Sequence, residues 1–185
     1  MRHVISVLTV VAFAAVSVGR GQAPPMGPPA VRIDQAAGPP GGLVNASFYL
    51  VRPADQIGAI AVDVVFQNRF VSFVKAELSG IAEGADAHLT VLPKATGTNK
   101  TESTIQLKLS TIEEGGSKQP LPVGGLVRMQ FKISDAAKPG TVVDLKVSGT
   151  VRKVAAPQTT TNVNGAPGQV IVSEKSIISC FFYMH

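Results

Sequence analysis

Apolar and polar residues alternate with a period of two through most of the chain. Ile105, Leu107 and Leu109 alternate with Thr104, Gln106 and Lys108. Val127, Met129, Phe131 and Ile133 alternate with Arg128, Gln130, Lys132 and Ser134, and Val143, Leu145 and Val147 with Asp144, Lys146 and Ser148. Successive side chains of a strand point to opposite faces, so each run has one face for a core and one for solvent. The pattern predicts nine strands, over residues 31–34, 43–51, 57–67, 71–77, 88–92, 103–110, 125–134, 141–149 and 168–173, with the eighth able to continue through Lys153. Between them lie stretches rich in Gly, Pro, Asn, Ser and charge: 38–42, 94–101, 113–122, 135–140 and 155–167. These are turn and loop signals. No segment carries a 3.6-residue apolar stripe. Many short strands at this spacing predict an all-β, nine-stranded sandwich. About a dozen inward side chains, at roughly 1.5–3 kcal/mol each, supply its core.

The N-terminus departs from the alternation. Arg2 is followed by an uncharged apolar run from Val4 to Val18, and Gly21-Gln22-Ala23 offers small residues for cleavage. Residues 1–23 read as a secretory signal, with an uncleaved N-terminal anchor as the alternative reading, disfavoured because the run is shorter than the ~20 residues a membrane span needs. After its removal no stable membrane span is expected, and the destination is the extracellular space or the cell envelope. Pro24, Pro25, Pro28 and Pro29 make residues 24–30 a stiff leader. Residues 31–173 form the sandwich and 174–185 a short tail holding Cys180, Phe181, Phe182 and Tyr183. The formal charge of +5 falls to +3 once Arg2 and Arg20 leave, with 15 basic residues against 12 acidic. That is too mild for a nucleic-acid partner.

The order of elements resembles the cohesin domain. The opening strand Val31-Arg32-Ile33-Asp34 and the turn Gly38 to Gly42 match the start of that family. Ile57-Gly58-Ala59-Ile60-Ala61-Val62-Asp63 resembles its hallmark strand, in which Gly, an apolar residue and an aspartate recur. Gly124 to Ile133 resembles its Gly-x-Leu-x-x-Ile-x-Phe-x-Val, and Asn164-Gly165 through Val172 its closing strand. The family's Tyr-Asp-Pro after the third strand is replaced by Gln67-Asn68-Arg69, and its phenylalanine-rich loop before the sixth strand is missing. The resemblance implies a jelly-roll topology and a protein partner of the dockerin-bearing kind, in extracellular polysaccharide handling. It also implies a docking face on the sheet holding the third, fifth, sixth and eighth strands. Carried over residue by residue, that face presents Asp63, Val65 and Gln67, then Gln106 and Lys108, then Asp144 and Lys146. Asp63, in the hallmark strand, leads the set. Two other readings stand beside this one: a carbohydrate-binding module, and a structural domain of an envelope or secretion assembly.

Catalytic chemistry finds little foothold. His88 is the only histidine between the signal and the last residue, and no Gly-x-Ser-x-Gly elbow surrounds a serine. Adjacent Glu113 and Glu114 point apart, unlike the opposed carboxylates of a glycosidase. One cysteine makes neither an internal disulfide nor a multi-cysteine zinc site. No Asp-x-Asp-x-Asp-Gly calcium loop is present. The expectation is a non-enzyme without metal or cofactor. Direct sugar binding by stacking is weakly supported, with no Trp and two Tyr in the chain. Asn45-Ala46-Ser47 and Asn99-Lys100-Thr101 are glycosylation sequons, the first inside a strand and the second in a loop.

Overall fold

The structure, a computed structural model, describes residues 30–51, 56–94, 101–112, 118–155 and 159–174. The signal, nearly all of the leader and the tail, Glu113, Glu114, Asn99 and Cys180 lie outside the described residues. The architecture is the expected all-β sandwich. A four-stranded sheet has the order β1 (Ala30–Ile33), β3 (Leu43–Val51), β8 (Gly124–Ile133), β5 (Val71–Leu78). The larger sheet has the order β2 (Gln35–Gly38), β11 (Gly168–Val172), β9 (Val142–Lys153), β4 (Ile57–Gln67), β7 (Glu102–Ser110), β6 (His88–Lys94). β10 (Thr160–Asn164) also pairs with β9. Among the described residues no helix is long and apolar enough to cross a membrane.

Two strands and one helical turn were not expected. The chain changes sheets at Asp34. β1 pairs antiparallel with β3, and β2 then pairs parallel with β11. Asp34 holds the crossing point by two bonds to Ser47: its N–H donates to the Ser47 carbonyl at 3.0 Å, and its carboxylate accepts from the Ser47 N–H. β2 reads Gln-Ala-Ala-Gly, which has little intrinsic strand preference, so its pairing and not its composition makes it a strand. β10 falls in the stretch expected to be a loop. It is polar, buries Val163, and becomes a strand by adding to the free edge of β9. The turn α1 (Gly80–Glu83) is capped by Ser79, whose hydroxyl accepts from the Ala82 N–H at 3.4 Å and donates to the Gly125 carbonyl at 2.5 Å.

Two turns follow directly from their residues. Pro40-Gly41 and Pro139-Gly140 occupy the central positions of turns closed by Gly42 N–H to Pro39 O (2.9 Å) and Thr141 N–H to Lys138 O (3.0 Å). Gly41 and Gly140 have φ of 76° and 85°. Proline then glycine is what such a turn demands, since the third residue needs positive φ.

The core lies between the sheets and follows the alternation. Phe48, Met129, Phe131 and Ile133 from the small sheet meet Val64, Phe66, Leu107 and Leu145 from the large one. Phe131 is fully buried and sits edge-on to Phe66 of β4 (5.4 Å) and Phe73 of β5 (5.9 Å), tying three strands together. At one side Ala166 closes the sandwich, donating to the Val31 carbonyl (2.9 Å) and accepting from the Ile33 N–H (3.1 Å).

Candidate binding face

The outer face of the large sheet is organised around β4, which lies between β7 and β9. Register sets the cross-strand rows. Asp63 lies opposite Gln106 on β7 and Ser148 on β9, and Gln106 in turn opposes Leu92 on β6. In the next row Val65 lies between Thr104 and Lys146, with Lys94 beyond Thr104. On the other side of Asp63, Ala61 lies between Lys108 and Thr150.

Asp63 is the polar centre. Its Oδ2 accepts from Lys94 Nζ at 2.5 Å, and its Oδ1 accepts from Gln106 Nε2 at 3.1 Å. The Asp63 and Lys94 side chains are 30% and 44% exposed, so the pair is ordered yet reachable. Lys146 Nζ lies 3.6 Å from Glu102 Oε1. Asp144 Oδ1 accepts from Gln169 Nε2 of β11 at 3.1 Å. Leu92 is 40% exposed and, with Val65, gives the face an apolar component.

All seven residues expected on this face are on the large sheet. The structure brings Asp63 and Gln106 into direct contact and sets Val65 opposite Lys146. It leaves Gln67 at the end of β4 opposite Glu102, Lys108 beside Ala61, and Asp144 turned toward β11. The expectation missed Lys94, which completes the Asp63 centre, because the fifth strand was expected over 88–92 and Lys94 in the loop that follows, whereas β6 runs through Pro93 to Lys94. β6 is an edge strand, and an edge tolerates proline. Glu102, Gln169 and Arg152 were missed as well; the first opens β7 one residue early, and the other two lay at the margins of their runs. Among the described residues no group of three or more His, Cys, Asp or Glu could hold a metal.

The chain is similar in structure to the sixth cohesin of scaffoldin B from Acetivibrio cellulolyticus, solved in complex with a mutant dockerin (TM-score 0.60, 15% identity, 78% of this chain and 99% of that one). It is similar also to the seventh type I cohesin of ScaB from Pseudobacteroides cellulosolvens (0.57, 16%, 84% and 98%) and to a non-cellulosomal cohesin from the archaeon Archaeoglobus fulgidus (0.58, 12%, 80% and 93%). Neither a protein-family model nor a curated relative matches the chain. At these identities the likeness concerns architecture alone: the chain has a cohesin-like fold.

Proposed function

We propose that this chain is an exported, non-catalytic docking module that binds a helical, dockerin-type protein partner in extracellular polysaccharide handling. The partner lies across the outer face of β6, β7, β4 and β9. The observation that carries this reading is the Asp63 centre, where a carboxylate is held by side chains from two neighbouring strands on an exposed face. Preorganised polar groups of this kind supply register and specificity to a protein interface, while Val65 and Leu92 supply apolar contact. Gln67, Gln106, Lys108, Asp144 and Lys146 surround them. The similarity to cohesins solved with dockerins supports the partner class. A protein is favoured over a polysaccharide because the outward positions of these four strands hold no Phe, Tyr or Trp, and sugar platforms rely on such rings.

The test is calorimetric titration of the full chain against a panel of purified dockerins, with retention on insoluble polysaccharide run in parallel. Binding of at least one dockerin is expected. Val65→Arg should weaken it by about 100-fold, since a long cation at the centre of the face blocks approach. Lys132→Glu, on the opposite sheet, should leave it unchanged. Retention on polysaccharide with no dockerin bound would overturn the reading.

A further inference from the structure

We infer that the Lys108 end of this face receives an acidic side chain, aspartate or glutamate, from the protein partner. The inference rests on the docking reading above and adds the partner's chemistry at one point. Here the sheet has a depression of about 230 Å³ lined by Ala59, Ala61, Lys108, Leu109, Thr150 and Arg152. Its origin is residue size at fixed register. Ala61 lies opposite Lys108 on one side and Thr150 on the other, and Ala59 lies opposite Arg152. Two methyl groups in the middle strand are thus walled by three long or branched side chains. Sites for whole small-molecule ligands run from ~300 Å³ upward, so this volume suits one side chain instead.

Charge selects which side chain. Elsewhere on the face the cations are engaged, Lys94 by Asp63 and Lys146 by Glu102. Lys108 and Arg152 form no ion pair among the described residues. They flank the same depression, so they repel each other there. A carboxylate entering between them relieves that repulsion. The guanidinium fork of Arg152 can hold it with two parallel bonds, and the Thr150 hydroxyl is a further donor. Asp144 stands at the far end of β9, about 26 Å along the strand from Arg152 at ~3.3 Å per residue. Among the described residues the unpaired cations of this face are thus gathered at its Lys108 end, where an acidic side chain of the partner meets complementary charge.

The experiment is an amide NMR titration of the full chain with two helical Ala/Gln peptides, one carrying a single glutamate and the other glutamine at that position. The glutamate peptide should shift the amides of Ala59, Ala61, Leu109, Thr150 and Arg152, and bind about tenfold more tightly than the glutamine peptide. The difference should shrink in high salt, and it should vanish in the double variant Lys108→Gln, Arg152→Gln. Both positions are solvent-accessible, so an unchanged thermal midpoint confirms that the variant is folded. Equal binding of the two peptides, shifts centred elsewhere, or no shifts up to the solubility limit would overturn the inference. None of these outcomes bears on the dockerin titration, which turns on Val65.

Discussion

The sandwich has two polar outer faces, built by the same alternation, and they are organised differently. On the small sheet the contacts are isolated pairs. Arg32 lies 4.7 Å over the Tyr49 ring, Gln130 donates to Asn45 at 3.4 Å, and Lys75 meets Glu77 on its own strand at 2.6 Å. On the large sheet β6 and β7 both donate to one carboxylate on β4, and a depression opens beside it. Polarity alone thus does not separate the two faces. Convergence of side chains from three strands at one carboxylate does.

The largest expected effect removes what the two faces share. Phe131→Ala empties the centre of the core, where Phe66 and Phe73 pack on its ring, and should cost about 3–5 kcal/mol. Chemical denaturation measures it, and both faces should be lost in a single transition. A smaller loss confined to one sheet would show that the two sheets are less coupled than the packing implies.

Gly149→Ala sharpens the contrast, because it strikes the large sheet alone. A Cβ there would run into the Ala61 carbonyl on β4. Overpacking of this kind costs about 1–3 kcal/mol. Hydrogen exchange should quicken at β4 and β9 while β3 and β8 keep their protection.

Asp63→Ala tests whether the polar centre serves the fold or the surface. The Asp63–Lys94 pair is partly exposed, so its loss should cost no more than about 1 kcal/mol of stability. A cost of several kcal/mol would make Asp63 a structural residue. The smallest effect belongs to the small sheet. The bond from Lys75, aided by its charge, holds the Glu77 carboxyl below its ordinary range. A lowered carboxylate stabilises the fold above its unfolded value, about 4.3, and that contribution fades as pH falls through the lowered one. Glu77→Gln should therefore change the thermal midpoint slightly at neutral pH and not at all in strong acid. A midpoint difference that grows on acidification would reverse this assignment.

Much of the fold was legible in the residues. The Ile105-Leu107-Leu109 and Val143-Leu145-Val147 runs are buried as their alternation requires, and the Pro-Gly pairs at 40–41 and 139–140 make their turns. β2 and β10 were illegible, because Gln-Ala-Ala-Gly and Thr-Thr-Asn-Val-Asn become strands only when β11 and β9 offer them an edge. In the candidate face, the outward position of Asp63 was readable from its neighbours. Gln106 was expected on the same face, but its bond to Asp63 comes from cross-strand register, and Lys94, on an edge strand, was missed.

By itself the sequence determined the nine alternating strands, which side of each is wet, and the Pro-Gly turns at 40–41 and 139–140. Those properties depend on neighbours one or two positions away. Only the tertiary structure decided that Lys94 neutralises Asp63, that Lys108 and Arg152 flank a shallow seat over two alanines, and that Asp34 passes the chain from one sheet to the other. Those depend on strand order and register, which long-range pairing sets, and a shift of one residue in register would reassign every one of them.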